Sequence, residues 1–145
     1  MIATKLKRKM FWMFSRAGMA AYSRFPVFGV LNASLGVIKK NDAFLVIERN
    51  DGRGVSFPGG LAFPWETAEQ AAVREIEEET GLKVTKSILK SRYYSSAELP
   101  VQVTVFETEA DGQLRDSWEG SPSWLRLDEL RPRIIPSQRC IAETL

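Results

Sequence analysis

The sequence predicts an α/β fold of sandwich type, and three observations lead to it. Strand-like segments precede and follow one long helical segment, that segment carries its own start and stop signals, and a second helical segment closes the chain. At 145 residues with 44% hydrophobic content the chain can build one ordinary core, and no internal repeat or low-complexity tract divides it.

In order along the chain, residues 27–38 and 43–48 read as strands joined by a Lys39-Lys40-Asn41-Asp42 turn, and residues 50–54 as a polar, glycine-containing loop. Ser56-Phe57-Pro58-Gly59-Gly60 ends a strand-like segment and opens the loop before the helix, its glycines permitting close backbone approaches. Thr67 with Gln70 forms a capping box, so the helix starts at Thr67, and Gly81 is placed to end it. Residues 84–94 and 101–108 suggest two more strands, Asp111-Gly112 a turn, residues 124–127 a short strand and residues 137–145 a final helix.

The long helix carries the chemistry. At roughly 100° per residue, Glu75, Glu78 and Glu79 fall within about a 100° arc of one face. Three carboxylates so crowded repel one another unless a cation sits among them, and oxygen-only ligands suit hard divalent ions such as Mg²⁺ or Mn²⁺. Ala72, Val73 and Ile76 point into a core, Glu77 points away toward solvent, and Arg74 lies four residues before Glu78, spaced to orient a carboxylate rather than touch substrate.

Gly60, Glu66, Arg74, Glu75, Ile76, Glu78, Glu79, Gly81 and Leu82 together spell G-x5-E-x7-R-E-U-x-E-E-x-G-U, where U is a bulky aliphatic residue. From average residue frequencies, chance would produce this on the order of 10⁻⁸ to 10⁻⁷ of the time. The pattern is complete, and in it the chain resembles the Nudix hydrolases over roughly residues 27–145, most tightly over 58–82. The resemblance implies an α/β/α sandwich with helices on both sides of a mixed sheet, and a Mg²⁺-dependent pyrophosphohydrolase. The implied substrate is a nucleoside diphosphate linked to another moiety: a nucleoside triphosphate, nucleotide sugar, ADP-ribose or dinucleotide.

Carried over residue by residue, the resemblance makes Glu75, Glu78 and Glu79 metal ligands and catalytic residues, and brings a backbone carbonyl of Gly59 or Gly60 toward the metal and substrate. It also places Arg49 where related hydrolases hold a basic side chain toward the phosphates, and it calls for a further carboxylate from a late loop. Glu119 is the best-placed candidate for that carboxylate, with Glu98 and Asp116 as alternatives. Tyr93, Tyr94, Trp118 and Gln138 are candidates to frame the leaving moiety. The chain departs from the family where Phe63 and Trp65 stand in place of the common acidic and glycine residues; these rings either pack in the core or narrow the substrate site.

Composition narrows the alternatives. There is no histidine, so Cys-His catalysis is excluded and a general base must be a carboxylate, another charged group or metal-bound water. The single cysteine, Cys140, excludes an internal disulfide, fits a cytoplasmic setting and is expected to pack in the last helix.

Residues 1–41 hold eight Lys or Arg and no acid, whereas residues 42–145 hold 12 basic and 18 acidic residues. The division expected is a basic amphipathic helix over residues 1–25, in which Leu6, Met10, Met13, Ala17 and Ala20 follow helical spacing, and a catalytic domain over residues 26–145. The helix is expected to pack on the domain or as a homodimer contact; membrane-surface attachment and a targeting role are the other readings, and no nucleic-acid motif is present. Two alternatives to a free-nucleotide hydrolase remain at this stage: a catalytically idle Nudix-fold binding domain, whose usual mark is erosion of the glutamates, and an enzyme anchored by residues 1–25 on a membrane-bound substrate.

Overall fold

The computed structural model describes residues 29–145, so the expected N-terminal helix and the boundary at residue 26 lie outside the described residues. Two four-stranded sheets form the frame. In the first, β1 (Leu31–Val37) pairs antiparallel with β5 (Gly59–Leu61) and parallel with β7 (Val101–Asp111), which pairs antiparallel with β6 (Lys83–Ser95). In the second, β3 (Ala43–Arg49) pairs antiparallel with β2 (Lys39–Lys40), β4 (Val55–Ser56) and, along its whole length, β8 (Gly120–Arg126). The first sheet is mixed, as the resemblance implied.

The side-chain alternation of strands builds the sandwich. On β3, Phe44 and Val46 enter one core with Val103, Val105, Leu130 and Ile141, while Leu45 between them enters a second with Ala72, Ile76, Leu82 and Phe106. The helix α1 (Ala68–Thr80) therefore covers one face, and α2 (Leu127–Leu130) with α3 (Arg139–Glu143) contributes to the other. Each fully buried side chain such as Leu45 or Ile76 stabilises the layers by about 1.5–3 kcal/mol.

The start and stop of α1 agree with the sequence signals. The Thr67 hydroxyl accepts the Gln70 backbone N–H at 3.1 Å and the Gln70 side chain accepts the Thr67 N–H at 3.0 Å. Gly81 takes φ +77° at the other end and donates its N–H to the Glu77 carbonyl.

Other boundaries differ. Lys39 and Lys40 are strand, so the turn contracts to Asn41-Asp42, with Asn41 at φ 55°, a conformation asparagine tolerates. β8 starts at Gly120 rather than residue 124, because Gly120 to Ser123 pair with Arg49 to Val46. Leu127 opens α2 instead of ending that strand, and the final helix is only a 3₁₀ turn at Pro136–Gln138 followed by the short α3.

Three side-chain expectations change as well. Val73 is only half-buried, Glu77 accepts the Val84 N–H at 3.1 Å instead of standing free in solvent, and Cys140 is exposed rather than packed. Among the described residues no helix is long and apolar enough to cross a membrane.

Candidate active site

β5 lies between β1 and the acidic face of α1, and one glycine serves each contact. Gly59 holds φ +150°, and a Cβ there would collide with the Ser34 carbonyl; a Cβ on Gly60 would stand 2.9 Å from the Glu75 carboxyl carbon. The loop so pressed buries Glu75 and Glu79, which are 8% and 5% exposed. The Gly59 N–H donates to Glu79 Oε2 at 3.4 Å, so Gly59 reaches the cluster through its N–H.

Glu119 joins them from the loop before β8. That loop is tied to the end of β3, where the Asn50 N–H donates to the Glu119 carbonyl at 2.9 Å and the Asn50 amide to the Trp118 carbonyl at 3.0 Å. One oxygen from each of Glu75, Glu79 and Glu119 lies within 4.8 Å of the other two.

Burial pushes Glu75 up to about 7, against the Arg74 charge, with Glu119 and Glu78 adding to the rise. Burial likewise holds Glu79 well above the ordinary carboxylate range, reinforced by repulsion from Glu119 and Glu75 and by a hydrogen bond with Glu119. A hard divalent cation fits this donor set, because three carboxylate oxygens converge and Arg74 pairs with Glu75 alone among them.

Arg74 is the internal counter-charge. Its guanidinium donates to Glu66 at 2.7 and 2.8 Å, to Glu75 at 2.6 Å, to Glu78 at 3.4 Å and to the Leu61 carbonyl at 3.1 Å. Glu66, which also accepts the Phe63 N–H at 2.8 Å, thus anchors the loop rather than joining the cluster. Phe63 lies under Arg74 at 4.3 Å and stacks on Trp65 at 4.9 Å. Neither sequence reading of these rings holds: Trp65 is 76% exposed rather than core, and neither ring lines the cleft.

The cleft beside the carboxylates has a volume of about 170 Å³, with walls that include Leu35, Leu99 and Val103. Arg49, Gly59, Gly60 and Glu119 all line it, so these candidates come together. Arg49 is not free, since its guanidinium pairs with Asp51 at 2.8 Å. Glu98 is not a cluster carboxylate: it pairs with Arg53 and accepts the Ser137 hydroxyl at 2.7 Å.

Gln138 is 7% exposed, and its Oε1 accepts the Phe57 N–H at 2.7 Å. That bond fixes the amide, leaving Nε2 as a donor on a cleft-lining residue with no partner among the described residues. Of the other framing candidates, the Tyr93 hydroxyl donates to the Ser137 carbonyl at 2.7 Å and Tyr94 is exposed on β6. Trp118 lines a second, adjoining cleft of about 280 Å³ with Glu78 and Asp116.

Sequence reasoning missed Arg53 and Ser137, because their common partner Glu98 is remote in sequence and no motif links them. Gln138 stood out only as one of four candidates to frame the leaving moiety.

The family described as NUDIX domain matches residues 30–145. A protein of Bacillus subtilis (strain 168) provisionally named 8-oxo-dGTP diphosphatase YtkD is 40% identical over 80 residues, covering 45% of this chain and 50% of the relative. Another from the same strain, provisionally named 8-oxo-dGTP diphosphatase, is 43% identical over 51 residues, 35% of this chain and 34% of the relative. The chain thus spans half or less of the curated relatives it matches.

Solved structures share the fold. A MutT NUDIX hydrolase from Burkholderia pseudomallei superposes with a TM-score of 0.70 at 22% identity, covering 79% of this chain and 97% of that one. The MutT protein from Methanosarcina mazei Go1 gives 0.70 at 20% identity, covering 80% and 92%. The E. coli ORF135 protein gives 0.68 at 20% identity, covering 82% and 90%.

Proposed function

The chain belongs to the NUDIX domain family, and on that premise we propose that it hydrolyses a phosphoanhydride bond of a nucleoside triphosphate, with triphosphates of oxidised purines as the first class to test. The observation that carries this reading is the convergence of Glu75, Glu79 and Glu119 at one end of a mainly apolar cleft. The names of the two curated relatives support the choice of oxidised purine.

Glu75, Glu79 and Glu119 would hold Mg²⁺, or Mn²⁺ through the same oxygens, with Glu78 and the Gly59 carbonyl as further ligands from the resemblance. When bound, the ion neutralises phosphate oxygens and acidifies a bound water. A water oxygen bonds to one phosphorus, the bridging P–O bond breaks, and its electron pair leaves with the departing phosphate. The water's proton would pass to a carboxylate of the cluster, since the chain has no histidine to take it. Arg49 and Gly60, which line the cleft, are kept as substrate-binding residues from the resemblance, Arg49 with its guanidinium paired to Asp51.

The Gln138 amide donor suits a base that offers a carbonyl oxygen, and an amino group in the same place would leave two donors facing each other. Residues 1–25 are read as a basic segment ahead of a catalytic domain over 26–145, contacting a second subunit or a membrane surface. The cytoplasm is the compartment that fits the lone cysteine.

The test is Mg²⁺-dependent product release from 8-oxo-dGTP, dGTP, dATP, nucleotide sugars, ADP-ribose and diadenosine polyphosphates, comparing wild type with Glu79→Gln. Turnover of a triphosphate that falls by about 10³ in the variant is the expected result. Turnover restricted to the sugars, ADP-ribose or dinucleotides would overturn the substrate class. Silence across the panel from folded protein would favour the binding-domain reading.

A further inference from the structure

The carboxylates that close the apolar cleft also wall the second one. Glu75, Glu78, Glu79 and Glu119 line it together with Arg115 and Trp118. Three arginines near the site are committed to carboxylates: Arg49 to Asp51, Arg53 to Glu98, and Arg74 to Glu66, Glu75 and Glu78. Arg115 differs, for its guanidinium has no ion pair or hydrogen bond among the described residues, although four glutamates wall the same cleft.

The backbone around Arg115 is nevertheless held in place. Its N–H donates to the Thr80 carbonyl at 2.8 Å, and its Cβ packs so closely on the end of α1 that a Cβ on Gly81 would lie 2.8 Å away. The loop is fixed again beyond it, where the Ser117 N–H donates to the Gly120 carbonyl at 3.0 Å and the Glu119 N–H to Ser117 Oγ at 3.3 Å. An exposed cation with no ion partner among the described residues thus lines the second cleft beside the carboxylates, on a backbone held to the end of α1.

A nucleoside triphosphate has an apolar end and an anionic end. The walls of the first cleft suit the apolar end, and the anionic end would then reach the carboxylates shared with the second cleft, which Arg115 also lines. A guanidinium offers paired donors that match two phosphate oxygens, and desolvating an unpaired arginine for that purpose breaks no existing ion pair.

We propose that Arg115 binds the phosphates farthest from the nucleoside, and so makes the site prefer triphosphates over diphosphates. The proposal rests on the hydrolase reading above, so its test includes a measurement that needs no turnover. Calorimetric binding of inorganic pyrophosphate with Mg²⁺ is compared in wild type, Arg115→Ala and Arg115→Lys, alongside steady-state kinetics on dGTP, 8-oxo-dGTP and the matching diphosphates.

Arg115→Ala is expected to weaken pyrophosphate binding and raise KM for triphosphates by about tenfold, with Arg115→Lys between it and wild type. KM for the diphosphates should stay within about twofold, a split that a general distortion of the loop would not produce. Equal changes for tri- and diphosphates, unchanged pyrophosphate binding in Arg115→Ala, or no pyrophosphate binding by wild type would overturn the proposal. If wild type turns over no triphosphate yet binds pyrophosphate through Arg115, the hydrolase reading fails and the phosphate site stands.

Discussion

One end of the apolar cleft comes mainly from a single stretch of chain and the other from three distant ones. At the first end Gly59, Gly60, Glu75 and Glu79 lie within one loop and helix, and Arg74 ties that helix back to Glu66 and Leu61. At the second, Arg53, Glu98 and Ser137 with Gln138 meet only because β4, the 3₁₀ turn and the loop before β7 pack together. The first end is stabilised by local geometry and can recur with little change in many settings. The second depends on several long-range contacts, so substitutions in any of them can alter which ligand it accepts. In the proposed function, reaction chemistry falls to the local end and recognition to the composite one.

The sharpest break in that contrast should come from Gly59→Ala. The added Cβ meets the Ser34 backbone at a positive φ, so we expect a loss of stability on the order of 3 kcal/mol in denaturant unfolding, with activity falling as β5 is pushed off β1. A loss below about 0.5 kcal/mol would mean that β5 is not pressed on β1 as described.

Arg74→Lys should follow. A lysine cannot serve Glu66, Glu75 and Leu61 at once, and we expect Mg²⁺ affinity to drop by about tenfold, read by titration calorimetry. Unfolding measurements should find it about 1–3 kcal/mol less stable. At the composite end, Gln138→Glu keeps the acceptor for the Phe57 N–H and removes the donor facing the cleft. It should lower kcat/KM for carbonyl-bearing bases by about tenfold relative to adenine, while leaving Mg²⁺ affinity unchanged. Equal loss on both bases would remove Gln138 from recognition.

The smallest expected effect is on pH dependence. Glu75 has a folded-state value of about 7 against an ordinary 4.5, so between those values the native state of the metal-free protein holds more protons than the unfolded chain. Its stability therefore falls as pH rises through that window. Thermal unfolding in chelator should give a lower midpoint at pH 7.5 than at pH 5.5, and saturating Mg²⁺ should remove the difference. A midpoint that rises with pH in chelator would contradict the buried, crowded cluster.

Legibility followed the range of the interactions. α1 was readable to the residue because its capping box, its terminal glycine and its apolar spacing all act within a few positions. Glu119 could be singled out because the resemblance calls for a late-loop carboxylate, with Glu98 and Asp116 as alternatives, though only folding brings it within 4.8 Å of Glu75 and Glu79. Strand ends were less legible, since β8 gains its first residues from pairing with β3 rather than from its own composition. Trp65 misled because a large ring suggests a core, whereas Phe63 and Arg74 offer it a stacking partner at the surface.

By itself, the sequence determined the family, the acidic helix and which carboxylates share its face, because all of these are periodic or short-range properties of residues 59–82. Only the tertiary structure decided that Glu98 belongs with Arg53 and Ser137, and that the Gln138 amide is locked with its donor unpaired. Those pairings are contacts between backbone segments that composition leaves independent, and a side chain's partner is fixed only when packing brings one within hydrogen-bond reach and removes the competing water.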